Sequence, residues 1–485
     1  MAKEFIIAIE LGSSKMTGIA GKKNLDGSIT ILAVAKEDST SCIRKGVVYN
    51  LEKTTNGLGN LVKKLKNMLK TEIAQVYVGV GGQSLRGIKN TIVKELSEST
   101  VITPSMVDSI MDTNRAMTYP EQEILDAVIQ EYKVDAQYQI DPVGIQCRRL
   151  EGNFLNILWR KQFYRNLKKC LEAAHIRVAE MYLAPLLLAE NVLTDTERRT
   201  GCVLVDLGAD TTTVSVYSRN ILRHIAVIPL GAYNITKDIE SLQVEEKVAE
   251  ELKLKYGSAY SESSDSDNIN IKVDDRTIES SKLAEIIEAR VQEIVENVWF
   301  QVPAEYKDKL PGGIILTGGG SNLKNIEQAF RRYIYTDKAH THVEKVRTAK
   351  FVNLSINTTA AMPDLVPHDG TMNTLLSILA KGENICAGND VNNDLFANAE
   401  PHPAAGRTAP GIVSNAEQIH KAEEEERKKK EEAERVAREK QEEEERLARE
   451  REEEERKKNK PASKLWRWMK KFGQTIVQGD NDGMA

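Results

Sequence analysis

An α/β fold of two related halves closing on one ligand is what this sequence predicts, and three stretches predict it. The first is residues 201–217, GCVLVDLGADTTTVSVY. Cys202, Val203, Leu204 and Val205 read as a buried strand that Asp206 ends, and Leu207, Gly208 and Ala209 form a small-residue turn. Residues 211–217 are β-rich again, with Val214 and Val216 alternating with polar partners. The result is a hairpin whose tip carries a carboxylate, backbone N–H groups and several hydroxyls. Gly208 and Ala209 allow a phosphate to approach the backbone closely. A carboxylate beside phosphates repels them unless a divalent cation sits between, so Asp206 implies Mg²⁺ or its water.

The second stretch, residues 5–20, is FIIAIELGSSKMTGIA. Laid on the first without gaps, Glu10 meets Asp206, Leu11 meets Leu207 and Gly12 meets Gly208; Ser13 then meets Ala209, and Thr17 meets Thr213. A lone hairpin of this kind is most simply an ordinary antiparallel hairpin. Two, this far apart, suggest pseudo-repeated halves that each lend a loop to one ligand. The third stretch, residues 314–321, is IILTGGGS, a buried strand whose glycine run is expected to open a helix over 322–332. Gly318, Gly319 and Gly320 permit close packing against a flat ligand, and a helix N-terminus favours an anion.

Two acidic-Leu-Gly hairpins with a downstream TGGG resemble the actin-like ATPase superfamily, which includes actin, heat-shock chaperone ATPases and sugar kinases. Within it the chain resembles the bacterial cell-division FtsA family. Glutamate at the first loop (Glu10), IQEYKVD at 129–135, DPVG at 141–144, VLTDTERRTG at 192–201 and IPLGAYNITKDI at 228–239 carry that resemblance. It covers about residues 4–385. It implies an actin-like two-lobed ATPase fold, with five-stranded-type sheets around a cleft for ATP and Mg²⁺. Glu10, Gly12, Ser13, Ser14 and Lys15, with Asp206, Gly208, Ala209, Asp210 and Thr211, would clasp the phosphates. Glu10 and Asp206 are the candidate catalytic pair, and Asp206 would hold Mg²⁺ through water or orient the attacking water. Gly318, Gly319 and Gly320, with Glu250 and Lys253, would hold the nucleoside, and Gly231 is a further candidate ligand contact. The chain also departs from the family's Asp-Ile-Gly-Gly-Gly-Thr. Ala209 and Asp210 replace two glycines, and Thr213 stands where a second carboxylate is usual. These departures bear on hydrolysis and metal placement, and the expectation is a weak ATPase at most.

Bulk properties set limits. A chain of 485 residues is long enough for two to four domains. A net charge of −5 gives no general polyanion-binding character, so no nucleic acid is expected. The five cysteines, Cys42, Cys147, Cys170, Cys202 and Cys386, are scattered, with no CxxC, so neither a disulfide framework nor a zinc site is indicated. No apolar run reads as a signal peptide or a transmembrane span, which predicts a cytosolic protein.

The elements follow in order. Residues 29–35 and 75–81 read as strands. Residues 57–70 form a helix with apolar Leu58, Leu61, Val62, Leu65 and Leu69, while Lys63, Lys64, Lys66 and Lys70 mark a solvated face. Residues 84–160 read as a small inserted α/β subdomain. It has a strand at 87–96, a helix over 103–119 capped by Thr103 with Pro104 in its first turn, and strands at 123–134, 143–146 and 154–158. In FtsA-like proteins an insertion here meets division partners and neighbouring protomers. Helices are expected at 163–174 and 180–193, then a strand at 221–228 and helices at 234–242 and 244–255. On the last of these Glu250 and Lys253 lie three apart, which is also the spacing of a plain surface ion pair. Residues 258–268 read as an acidic loop, 269–273 as a strand and 282–301 as a long helix. Residues 355–361 and 372–380 return to the first half.

The expected organisation is a first lobe at 1–83 with 161–200 and 361–385, the insertion at 84–160, and a second-lobe core at 201–231 with 311–360. A small subdomain at 232–310 matches the family's site for the FtsZ C-terminal tail. Residues 386–415 read as a flexible linker. Residues 416–460 are almost all Glu, Lys, Arg and Ala without an apolar seam. Glu precedes Lys or Arg by four residues at Glu423–Arg427, Glu434–Arg438 and Glu442–Arg446, among others, each pair giving about 0.2–0.5 kcal/mol. A lone charged helix on the order of 60 Å long and a disordered charged spacer both fit.

Residues 461–478 then read as an amphipathic membrane-targeting helix. Leu465, Trp468, Met469, Phe472 and Ile476 share one face with Trp466 at its edge, and Lys464, Arg467, Lys470 and Lys471 lie beside or opposite. A helix docking on protein is the alternative. The resemblance implies an ATP-binding scaffold that polymerises with itself on anionic lipid. It would tether the FtsZ ring to the cytoplasmic side of the cell membrane at the septum, and recruit later division proteins. The rival readings are a pilus-assembly or rod-shape type of actin-fold scaffold and an actin-fold small-molecule kinase.

Overall fold

The computed structural model describes residues 4–261, 270–273, 276–336, 341–342, 345–358 and 365–388. The first half opens with β1 (Ile6–Leu11), β2 (Lys15–Lys23) and β3 (Ile29–Asp38), an antiparallel meander. A small hairpin of β4 (Ile43–Arg44) and β5 (Val47–Val48) precedes helix α1 (Leu51–Leu69). Asn50 caps α1 by accepting from Lys53 N at 3.0 Å, so the helix starts about two turns before its apolar stripe does. Leu58, Leu61 and Leu65 are buried, and the four lysines of the other face are exposed as expected. β6 (Val76–Val80) then pairs in parallel with β1.

The insertion comprises β7 (Arg86–Val101), α2 (Pro104–Arg115), β8 (Gln122–Val134), β9 (Gln137–Gln139) and β10 (Gln146–Arg160). The expected strand at 143–146 is instead a turn around Gly144 (φ +87), and 154–158 is the end of the single 15-residue β10. The helix expected to run to 119 ends at Arg115.

α3 (Lys161–Ala173) leads to β11 (Val178–Leu183), α4 (Ala184–Val192) and α5 (Asp195–Thr200). Here the sequence reading of one helix over 180–193 is corrected. Residues 178–183 extend the sheet beside β6, and the helix begins only at Ala184–Pro185, where proline's fixed φ suits a first turn.

The second half repeats the first. β12 (Cys202–Leu207), β13 (Thr212–Ser218) and β14 (Ile221–Ile228) form the meander. Then come α6 (Ala232–Ile239), α7 (Glu246–Tyr256), β15 (Asn270–Val273), β16 (Arg276–Glu279), α8 (Ser280–Gln301) and α9 (Ala304–Lys307). β17 (Gly313–Thr317) runs parallel to β12, as β6 does to β1. The glycine run after β17 opens only a 3₁₀ turn, Gly319–Asn322. Helix α10 (Ile326–Tyr333) starts after Asn325, whose φ of +59 breaks the path, so no α-helix N-terminus lies at the glycines. β18 (Tyr335–Thr336), β19 (Thr341–His342) and β20 (Val346–Thr348) follow; β21 (Ile356–Thr358) and α11 (Asn373–Lys381) return to the first sheet.

Among the described residues the two main sheets have six and nine strands rather than five, in the orders β11-β6-β1-β2-β3-β21 and β20-β17-β12-β13-β14-β7-β10-β8-β9. Five strands correspond in each. The extra four of the second sheet belong to the insertion, which leaves the first half yet joins the second. Arg86 pairs with Ala226 of β14, Gln130 Nε2 donates to Leu222 O at 2.9 Å, and Lys89 meets Glu305 at 2.5 Å. Burial sorts the same way, with one apolar cluster around Ile7, Leu61 and Leu376, one around Val205, Ile287 and Leu316, and a small one around Ile110 and Phe154.

Candidate functional site

The two hairpins superpose residue for residue in their hydrogen bonds. Glu10 faces Thr17 across β1–β2 and lies beside Gly79 of β6; Asp206 faces Thr213 across β12–β13 and lies beside Thr317 of β17. Gly12 N donates to Lys15 O at 3.1 Å, and Gly208 N to Thr211 O at 2.8 Å. A Cβ at either glycine would come within 2.9 or 2.8 Å of that same carbonyl, so the turn admits no side chain there.

Each tip is propped from outside. Ser39 Oγ donates to Gly12 O at 2.6 Å, while the first amides of α6, Ala232 N and Tyr233 N, donate to Gly208 O and Ala209 O at 3.0 and 2.7 Å. Those α6 amides are therefore committed to the loop. Gly231 allows the close approach, since a Cβ there would meet Ala209 O at 2.3 Å.

Between the tips lies a cleft of about 1400 Å³. Of the candidate residues, Glu10, Gly12, Ser13, Ser14, Lys15, Asp206, Gly208, Ala209, Thr211, Glu250, Lys253, Gly318, Gly319 and Gly320 line it. Two do not. Gly231 supports the second tip from behind, and the Asp210 carboxylate accepts from Lys45 N of the first half at 3.0 Å. Lys464, Leu465, Trp466, Arg467, Trp468, Met469, Lys470, Lys471, Phe472 and Ile476, with the charged segment 416–460, lie outside the described residues. No helix among the described residues is long and apolar enough to cross a membrane.

The electrostatics of the cleft favour a cation. Burial, and then the Asp206 carboxylate, push Glu10 up to about 8, with Lys15 opposing. Burial pushes Asp206 up to about 6. Burial also lowers Lys15, helped by Lys36 and resisted by Asp369 and Glu10. Two carboxylates held against their preference to ionise gain from any positive charge brought between them. Hard oxygen donors at Asp206, Glu10, Thr17 and Thr213 suit Mg²⁺, which binds through one or two carboxylates plus phosphates rather than a full protein cage. Among the described residues no cluster of three or more acidic, His or Cys groups forms such a cage.

At the other end, Lys253 is 7 % exposed. Its ammonium reaches Ala232 O, Thr236 Oγ1 and Glu250 Oε2 at 3.1, 2.9 and 2.7 Å, so all three donors are used. Thr236 Oγ1 also donates to Glu250 Oε2 at 2.5 Å. The lysine end of the pair is internal and braces Glu250, whose side chain stays 41% exposed.

Sequence reasoning missed the loop Asp369–Gly370–Thr371, which lines the cleft ahead of α11. Asp369 Oδ1 accepts from Thr371 N and Oγ1, Asn322 Nδ2 donates to Asp369 O at 2.7 Å, and Asn373 Nδ2 donates to Thr317 Oγ1 at 3.0 Å. These bonds stitch the glycine strand of the second half to the helix that returns to the first. The only available signal was the Asp-Gly turn dipeptide before an apolar helix.

Two equivalent α/β halves, each giving an acidic hairpin to a shared cleft, and a subdomain inserted after the first β6-type strand define an actin-like, two-lobed protein. Comparison with known proteins is more specific. The family described as cell division protein FtsA matches residues 203–363, and the SHS2 domain inserted in FtsA matches residues 82–158. The cell division protein FtsA of Neisseria meningitidis is 31% identical over 370 residues, covering 72% of this chain and 88% of that protein. Those of Porphyromonas gingivalis (29%; 80% and 85%) and Bacillus subtilis (30%; 67% and 75%) are similar over comparable spans. The chain belongs to the FtsA family of cell division proteins.

Proposed function

We propose that the cleft binds Mg·ATP and that the protein is a nucleotide-regulated scaffold. In this reading it polymerises on the cytoplasmic face of the cell membrane, tethers the FtsZ ring there through residues 232–310, and recruits later division proteins through the insertion at 84–160. The observation that carries the nucleotide reading is the pair of hairpins with matching registers and matching obligatory glycines, set tip to tip with Glu10 and Asp206 facing one cleft. Backbone amides of the tips would bind phosphate oxygens, and Lys15 would add a positive charge. Asp206 and Glu10 would hold Mg²⁺, which supplies the charge that lets phosphates and carboxylates share the site. Glu250, fixed by Lys253 and Thr236, would accept from sugar hydroxyls. Thr213, in place of a second carboxylate, leaves little to activate water, so turnover would be slow. The basic aromatic face near the C-terminus would supply reversible membrane binding, strengthened by avidity in a filament.

The test is Asp206→Ala. The purified variant should bind Mg·ATP at least tenfold more weakly than wild type in a fluorescent-nucleotide titration, while ATP without Mg²⁺ loses less. Equal affinity for Mg·ATP would refute the nucleotide site. A pull-down with the FtsZ C-terminal tail tests the tether separately, and failure of the globular part to retain that peptide would refute it.

A further inference from the structure

Asp210 is the one candidate phosphate residue that reaches across the cleft instead of into it. Its contact is with the turn joining β4 and β5, whose two residues, Lys45 and Gly46, have φ of +50 and +72. That is the left-handed pair of a two-residue hairpin turn. The turn presents two successive amides to the two hairpin tips. Gly46 N donates to Ser13 Oγ at 2.9 Å, on the tip of the first half, and Lys45 N donates to Asp210 Oδ2 at 3.0 Å, on the tip of the second.

The turn cannot recede. Gln83 N donates to Lys45 O at 2.8 Å, and Gly82 packs so closely that a Cβ on it would meet Gly46 O at 2.5 Å. The backing comes from the bend after β6, part of the first-half sheet. One side of the contact is thus a rigid backbone amide. The other is a short side chain on a hairpin tip.

We propose that Asp210 is a latch residue: it fastens the second hairpin tip to the first half at the cleft mouth and sets the rate at which bound nucleotide leaves. The proposal rests on the nucleotide reading above. Opening of the cleft separates the two tips, and their separation breaks the Lys45 N–Asp210 bond. A carboxylate accepting from an amide is a charge-assisted hydrogen bond, stronger than a neutral one. Its loss should speed opening, and hence release, by about tenfold.

The experiment follows dissociation of a fluorescent ATP analogue with Mg²⁺ from the full chain, chased by excess unlabelled ATP, for wild type, Asp210→Gly and Asp210→Asn. Dissociation from Asp210→Gly should be about tenfold faster than from wild type. Asp210→Asn keeps an acceptor oxygen without the charge and should fall between, with thermal midpoints alike in all three. Equal dissociation from wild type and Asp210→Gly overturns the latch while leaving the nucleotide site intact. Equal acceleration in both variants also overturns it, because the hydrogen bond would then not be what slows release. A wild-type chain that binds no Mg·ATP overturns the site and the latch together.

Discussion

Glu10→Gln should make the ligand-free protein more stable at alkaline pH, although it removes a candidate site residue. The Glu10 carboxyl is pushed up from an ordinary 4.5 to about 8, by burial first and Asp206 second. A group whose folded pKa is raised holds its proton more tightly in the folded chain. The stability this gives is fully present below pH 4.5 and is lost as pH rises through about 8. The interval sets a ceiling of about 5 kcal/mol. Because the cleft admits water, about 2–3 kcal/mol is the working figure. Glutamine has no proton to lose, so the penalty disappears. At pH 8 the variant's thermal midpoint should exceed wild type by about 4–8 °C, on the scale of a domain of a few hundred residues. At pH 5 the two should nearly coincide. Scanning calorimetry without nucleotide at pH 5, 6.5 and 8 gives both slopes. Asp206, pushed up to about 6, leaves a residual slope in the variant between its ordinary 3.8 and 6. Parallel curves for wild type and Glu10→Gln across pH 5–8 would refute the reasoning. With saturating Mg·ATP the order at pH 8 should reverse, since the ionised carboxylate then gains a cation.

Gly318→Ala should reduce Mg·ATP affinity at least tenfold and lower the thermal midpoint. The residue sits at φ +82, and its Cβ would meet Asp206 Oδ1 at 2.3 Å, so the carboxylate must turn aside; unchanged affinity by titration would count against Asp206 as a cation ligand. Trp468→Glu with Phe472→Glu should release the protein from anionic liposomes in cosedimentation while nucleotide binding persists. A double variant that still sediments, or a wild type indifferent to lipid charge, would defeat the proposal that residues 461–478 bind the membrane.

The hairpins were legible because their signal is local and doubled. A gapless overlay of 5–20 on 201–217 pairs the residues that share hydrogen bonds in space, down to the Gly12–Lys15 and Gly208–Thr211 turns. Val178–Leu183 was not legible as a strand, because the Leu- and Ala-rich run beginning at Leu183 carries a helix pattern backwards over it. Pro185 held the corrective signal. The helix expected straight after the TGGG fails over 323–325, where Leu323 is extended, Lys324 bridges Ser258 and Asn325 is left-handed, a path that cannot be read from the glycines before it. Asp369 is held by Asn322, 47 residues away, and the seam pairs Arg86 with Ala226, and a single chain offers no local pattern for either contact. Asp210 was assigned to the phosphates with the rest of the tip, 206–211, and its carboxylate instead accepts from Lys45 N.

The last described residues carry a mechanical consequence. Residues 382–388 are sewn to the end of β1 away from the cleft. Cys386 N donates to Phe5 O at 2.7 Å, Ile7 N to the Cys386 thiol at 3.3 Å, and Ala74 N to Cys386 O at 2.9 Å. Tyr77 OH accepts from Glu383 N and Asn384 N, and Gly388 N donates to Glu72 O at 3.2 Å. A pull on the chain beyond Gly388 therefore loads Gly388 and Cys386 before it reaches α11. From Cys386 the tension passes to β1, a strand clamped on both sides by β2 and β6. The Glu10 tip stands at the far end of that strand. Traction on the tail is borne in shear by several bonds at once, and a strand paired along both edges lies between the tow point and the cleft.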